Sequence, residues 1–321
     1  MFRANTSASS PRKAAACQNR TMSSAPRRLL VAINPAASFG RNRAVGQAVA
    51  DRLAREGHEV TALREDNFEL LRRSAESAFA LGTDGVVVVG GDGMVSLGVN
   101  LLAGTGVPLG IVAAGTGNDL ARGLGLPFDD PAAAIEALVE ALGRPPRVID
   151  AGLIRHGELR TWFASVVSAG FDAVVNERAN GMTRPKGPRR YTLAMVRELV
   201  TFRPRSYVIT VDGVRREQRA MLVSVANNSS IGGGMRIVPH ADLGDGLLDV
   251  FIVHPLSRAR LVAVFPKVFA GRHADHPAVE FLTGREVRIE ADDIVAYADG
   301  ERIGQLPVDV EIVSGALAVF V

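Results

Sequence analysis

A run of five residues with buried-strand character, Gly85 to Val89, breaks into Gly90, Gly91 and Gly93 around a single aspartate, Asp92. Glycines in such a turn let backbone N–H groups approach a phosphate, and the helix that follows presents its positive end to it. Asp92 can hold Mg²⁺ there, directly or through water. A second turn of the same make follows the run Leu109 to Val112: Ala114, Gly115, Thr116, Gly117, Asn118 and Asp119. Two adjacent turns of this kind could face one triphosphate from both sides, with Thr116 donating to a phosphate oxygen and Asp119 near the metal. The plainer alternative is a pair of tight strand-to-helix turns in which Asp92 and the Asn118-Asp119 pair only cap helices. The first turn lacks the Gly-Lys-Ser/Thr of a Walker loop and the glycine spacing of the dinucleotide fingerprint, so neither of those classes is indicated.

The other reactive side chains are sparse. Cys17 is the single cysteine, which excludes an internal disulfide framework and any multi-cysteine metal site and fits a reducing cytoplasm. Six histidines, His58, His156, His240, His254, His273 and His276, show no ligand spacing beyond the last pair, and surface positions are expected for them. No Gly-x-Ser-x-Gly elbow is present, so a serine hydrolase has no support.

Positioning the two glycine turns is the task of an alternating chain. Strands are expected at Leu29 to Ile33, Glu59 to Leu63, Gly85 to Val89 and Leu109 to Val112. Helices are expected around Arg41 to Glu56, Phe68 to Leu81 and Met94 to Leu102, briefly after Asn118, and at Pro131 to Leu142. That order predicts an α/β nucleotide-binding domain, a parallel sheet with helices, over 28–147. After Pro145 and Pro146 the runs Val148 to Ile154, Thr161 to Ser168, Tyr207 to Val211, Ala220 to Ala226, Leu248 to Val253, Glu286 to Glu290 and Ile294 to Ala298 predict a mainly antiparallel, β-rich domain over 148–305. Helices are expected within it at Arg190 to Phe202 and near Leu256 to Ala270.

With 321 residues and 47% apolar side chains, the chain can fill two cores. Its net charge of +3 owes much to residues 1–28, where Arg3, Arg12, Lys13, Arg20, Arg27 and Arg28 meet no acid. That segment, 1–27 by domain assignment, reads as a disordered basic tail, with Met22 an alternative start. The remainder carries a slight acidic excess, so the basic pI is not a nucleic-acid footprint. From Arg178 to Arg219 basic residues far outnumber Glu198, Asp212 and Glu217, which suits either a solvated face or an anionic membrane surface. No apolar run approaches bilayer-spanning length, and no secretory signal is visible; a cytoplasmic protein, peripherally membrane-associated, is expected.

Seven pieces in order resemble the diacylglycerol kinase catalytic family, bacterial lipid kinases related to sphingosine and ceramide kinases. They are Asn34 to Ser38, Gly90 to Gly93, Gly115 to Asp119, Ser168 to Asp172, Asn227 through Gly232-Gly233-Gly234 to Pro239, Asp245 to Asp249, and Asp299-Gly300-Glu301. The resemblance covers 28–321. It implies an N-terminal ATP domain, a C-terminal β-sandwich-like lipid domain, and a last segment, 306–321, returning to the first.

It implies nucleotide contacts at Asn34, Pro35, Ser38, Gly90, Gly91, Asp92, Gly93, Gly115, Thr116, Asn118 and Asp119, with Mg²⁺ on Asp92 and Asp119. It further implies Glu301 as proton acceptor with Asp299 beside it, and a structural Mg²⁺ held by Asp245 and the backbone of Leu247 with Asp242 contributing. Met94, Ser96 and Leu97 stand where the family has a hydroxyl and an Asn-Glu pair. The expected reaction is transfer of the γ-phosphoryl group of ATP to a lipid hydroxyl, diacylglycerol foremost, at a membrane surface. NAD kinase-like or sugar kinase-like transfer, and a non-catalytic lipid-binding module, are the rival readings. Oligomeric state is left open, a homodimer included.

Overall fold

The structure, a computed structural model, describes residues 25–34, 42–170, 175 and 203–321. The expectations for Met22, Pro35, Ser38, Phe171, Asp172 and the helix at 190–202 lie outside those residues.

The first half alternates as its periodicity predicts: β1 (Arg28–Ile33), α1 (Asn42–Arg55), β2 (Glu59–Leu63), α2 (Phe68–Ala80), β3 (Gly85–Gly90), α3 (Asp92–Leu102), β4 (Leu109–Ala113), then α4 (Asp119–Gly123) and α5 (Pro131–Leu142). β2, β1, β3 and β4 pair in parallel in that order. Every residue of β3 and β4 is buried, as parallel strands covered on both faces require. Along β1 and β3, Leu29, Val31, Val87 and Val89 meet α1 and α5, while Leu30, Ala32, Val86 and Val88 meet the side carrying α2 and α3. Asn67 and Asp130 cap α2 and α5 through their side-chain oxygens, which fixes where those helices begin.

This sheet does not stop at β4. The long strand β16 (Val308–Val319) lies next, parallel to β4 at Val319–Leu109 and antiparallel to β5 (Arg147–His156) along most of its length. It leads on to β13 (Glu286–Glu290), β8 (Arg205–Val211) and β9 (Val214–Ala220), while β6 (Leu159–Phe163) pairs β5, giving ten strands among the described residues. A second, six-stranded antiparallel sheet runs β12 (Val279–Gly284), β11 (Leu248–Val253), β10 (Leu222–Ala226), β7 (Val166–Gly170), β14 (Val295–Ala298) and β15 (Glu301–Gln305). Phe163, Ile209, Ile289 and Val308 from the first sheet interdigitate with Val167, Val223, Val225 and Ile252 from the second, forming a sandwich core. The other face of the second sheet is covered by α6 (Arg258–Val268), begun by a Ser257 cap. The fold is thus an α/β half with a mostly parallel sheet, followed by an antiparallel sandwich.

Two readings of the sequence need correction. The run Thr161 to Ser168 is not one strand: the chain turns at Ala164 and Ser165, so β6 and β7 enter different sheets. Histidine exposure was also misjudged, because His58 and His273 are 6% and 1% exposed.

Candidate functional site

The two glycine turns touch. A Cβ on Gly115 would sit 2.3 Å from the Cα of Gly91, so the backbones meet where any side chain would hold them apart. Asp92, the first residue of α3, fastens them: its Oδ1 accepts from Asp119 N at 2.7 Å and its Oδ2 from Asn118 N at 3.0 Å. Asn118 adopts the left-handed region (φ 57°) that Asn tolerates and closes its own turn. Its Oδ1 accepts from Gly115 N, and its Nδ2 donates to the carbonyls of Gly115 and Phe128. Both turns lie at the carboxyl ends of parallel strands, where open α/β sheets bind ligands.

The opposite wall comes from the turn between β14 and β15. Asp299, itself left-handed (φ 47°), points its carboxylate inward onto the backbone N–H groups of Ala164, Ser165 and Val166 at 2.8, 3.0 and 3.0 Å. Those three contacts hold the break between β6 and β7. Burial pushes the Asp299 carboxyl up to about 6, the charge of Asp92 adds to the rise, and the three N–H groups oppose it. Glu301, exposed at the rim, extends across the gap until its Oε1 lies 3.3 Å from where a Cβ on Gly93 would be. The walls desolvate its carboxyl and raise its pKa.

Between the walls lies a cleft of about 350 Å³ lined by Asn34, Gly91, Asp92, Gly93, Ala114, Gly115, Thr116, Asp299, Gly300 and Glu301. Gly90, Asn118 and Asp119 stand behind this lining rather than in it. Asp119 is buried and accepts from Gly233 N at 3.1 Å and Gly234 N at 3.2 Å. Gly232, Gly233 and Gly234 all have positive φ (62°, 84° and 101°), a conformation glycine adopts without strain, and it turns successive N–H groups onto one carboxylate. Burial, then Asp92, push the Asp119 carboxyl up to about 6 against the pull of those glycine N–H groups. Asn228 adds a second tie from the sandwich, donating to Asp119 O at 2.9 Å.

Met94, Ser96 and Leu97 are buried and absent from the cleft lining, so the departures from the family pattern are turned into the core. Asp242, Asp245 and Leu247 lie on a separate loop. There Asp242 accepts from Gly244 N and Asp245 from Leu247 N, each closing its own turn. No group of three or more His, Cys, Asp or Glu gathers closely enough to hold a metal among the described residues.

Sequence reasoning missed Asp150. Its buried carboxylate accepts from Gly246 N and Gly315 N, both at 2.7 Å, and its carbonyl accepts from Asn227 Nδ2. Asn227 Nδ2 also donates to Ala164 O, so one hydrogen-bonded chain joins the 242–247 loop to the segment held by Asp299. An aspartate inside the apolar run Val148 to Ile154 was the available signal.

Residues 28–151 match the model of the diacylglycerol kinase catalytic domain, and residues 165–321 match that of the YegS C-terminal NAD kinase beta sandwich-like domain. A curated Mycobacterium tuberculosis protein named diacylglycerol kinase is 38% identical over 288 residues, covering 89% of this chain and 92% of that protein. A Bacillus subtilis protein of the same name is 27% identical, with 73% and 76% covered. Among solved structures, a diacylglycerol kinase from Bacillus anthracis superposes with a TM-score of 0.67 over 92% of this chain and 96% of that one; at 21% identity it speaks to the fold.

Proposed function

The chain belongs to the diacylglycerol kinase family, and from that premise we propose that it moves the γ-phosphoryl group of ATP to the free hydroxyl of diacylglycerol. The observation that carries this reading is the placement of Glu301 opposite Gly93, one desolvated carboxylate facing the start of α3 across a cleft floored by glycine backbone. Phosphoryl transfer needs positioning and charge neutralisation more than covalent chemistry. The positive end of α3, with Gly91, Gly93 and Gly115, receives the phosphates, and Thr116 at the mouth donates to one of their oxygens. Glu301 takes the proton of the attacking lipid hydroxyl; partial desolvation by the walls raises its pKa and makes it a better acceptor than a fully solvated glutamate.

Asp92, a hard oxygen donor in the cleft lining, would hold the Mg²⁺ that arrives with ATP, an ion that takes one or two carboxylates plus phosphate oxygens. Bound there, the ion supplies neutralisation of triphosphate charge. Asp119 stands behind the cleft lining, where its carboxylate accepts from Gly233 and Gly234 N–H groups and ties the two halves together. For a structural ion, Asp245 and the carbonyl of Leu247 remain the candidate donors, with Asp242 nearby.

Part of a lipid chain would enter the apolar cavity of about 90 Å³ between the second sheet and α6, walled by Met221, Met235, Phe251, Phe265 and Val268. Val262 in this helix and Phe269 just past its end are 52% and 49% exposed, and together with Arg260 and Lys267 of the same segment they would rest on an anionic membrane surface. No helix among the described residues is long and apolar enough to cross a membrane.

Labelled ATP incubated with the protein and a total lipid extract, with the product identified by mass, tests the reading; phosphatidic acid is the expected product. Labelling of NAD or fructose 6-phosphate in parallel reactions, with no lipid product, would replace it.

A further inference from the structure

Two polar residues stand among the apolar lining of the cavity beneath α6, His273 and Ser224, and each has a buried side-chain atom with no hydrogen-bond partner, His273 Nδ1 and Ser224 Oγ. Both residues line it, and they are 1% and 0% exposed. Buried polar groups are rarely left unpaired, so an orphan pair at one cavity calls for an explanation. They share a neighbour as well. Phe251 faces Ser224 directly across the β10–β11 register, and the His273 ring stands edge-on to Phe251 with centroids 5.4 Å apart.

The state of the imidazole follows from its other nitrogen. Nε2 lies 2.9 Å from the carbonyl oxygen of Ile237, which can only accept, so Nε2 carries the hydrogen. Burial lowers the pKa of the ring and keeps it neutral. Nδ1 is therefore a bare acceptor. An alkyl chain cannot satisfy it, and neither can an ester carbonyl, because each lacks a donor hydrogen.

We propose that His273 makes this cavity selective for a lipid chain bearing a hydroxyl, whose O–H donates to Nδ1 while Ser224 Oγ–H donates to the same oxygen. The proposal rests on the cavity being the lipid-chain site and adds what that site prefers. A hydroxyl at this depth is otherwise costly to bury, so the pairing selects for it rather than merely tolerating it.

The test uses the full-length protein and two probes that differ in the donor, octan-1-ol and octyl methyl ether. Calorimetric titration should give the alcohol an affinity about tenfold or more above the ether. With ¹⁵N-labelled histidine, the His273 Nδ1 resonance should move on adding alcohol and stay on adding ether. His273→Phe, which keeps a ring against Phe251, should lose the preference and retain ether binding. Equal affinities in the unaltered protein, a stationary Nδ1 resonance, or a preference that survives His273→Phe would each overturn the proposal. The resonance requires no variant, so a His273→Phe protein that fails to fold does not remove the test. Turnover on diacylglycerol in the same preparation separates the two readings. No turnover defeats the proposed function, whereas normal turnover with equal alcohol and ether binding defeats only the selectivity.

Discussion

Each wall of the cleft is pinned by an aspartate, but only one wall also extends a carboxylate into the gap. On one wall Asp92 uses both carboxylate oxygens on backbone N–H groups of the neighbouring turn; on the other, Asp299 spends its carboxylate on three N–H groups while Glu301, two residues on, reaches into the gap. Asp92 and Asp299 fasten turns through backbone N–H groups, and Glu301 is the carboxylate left to take a proton. The walls also differ in how they are built. The glycine wall is assembled from two turns 26 and 27 residues apart across the Asp92 contacts, whereas Asp299 joins segments more than 130 residues apart.

The sharpest way to break this comparison is Asp92→Ala. It strands the N–H groups of Asn118 and Asp119 and removes a carboxylate from the phosphate side, so turnover should fall by about 10³ with every acceptor, and stability by about 2–4 kcal/mol. Normal turnover with lowered stability would make Asp92 a fastener alone.

Asp299→Ala comes next. It leaves three N–H groups without their acceptor, and we expect a loss of about 2–3 kcal/mol, read as a lower denaturant midpoint, with turnover reduced through displacement of the β14–β15 turn. Its titration has a definite sign. The folded pKa, about 6, lies above the ordinary carboxylate value of 3.8, so the folded state binds the proton more tightly; the stabilising contribution is full below pH 3.8 and is lost as pH rises through about 6. Asp119 is raised to the same degree and acts in the same window. Removing either residue should flatten the pH dependence of the denaturant midpoint between those values, and an unchanged slope would show that neither carboxyl is held as described.

Gly93→Ala should have the smallest effect. The added methyl would lie 3.3 Å from Glu301 Oε1, tighter than ordinary contact but against the end of a flexible side chain. Melting temperature should hold while turnover drops by about tenfold as Glu301 is displaced. Unchanged turnover would mean that Glu301 does not work at this distance.

The glycine wall was largely legible in the sequence because its signals are local: β-branched runs, glycines at the turns and Pro131 opening α5 all act within a few residues. The boundaries of β1 through α5 therefore follow the pattern closely. The late wall was not. Nothing in Thr161 to Ser168 reveals the break at Ala164 and Ser165, because the residue that stabilises it, Asp299, is 134 residues downstream of Ser165.

Strand β9 escaped notice for a related reason: Val214–Ala220 is an edge strand full of Arg and Glu, whose pairing with β8 is set by the sheet and not by its own composition. Motif order named Asp119 and Asp299 as site residues. It could not reveal that glycine N–H groups hold the first and the β6–β7 break holds the second. His273 was expected at the surface, yet its ring stands edge-on to Phe251 and is 1% exposed, a packing that no local pattern announces.

The division between fastener and reagent rests most directly on Glu301, and Glu301→Gln tests it in a single preparation by reading turnover on diacylglycerol, ATP affinity and melting temperature together. The substitution keeps size and hydrogen-bonding capacity but removes the base, so turnover should fall by about 10² or more while ATP affinity and melting temperature stay put. Near-normal turnover, or a melting temperature that drops as far as that of Asp299→Ala, would contradict the account.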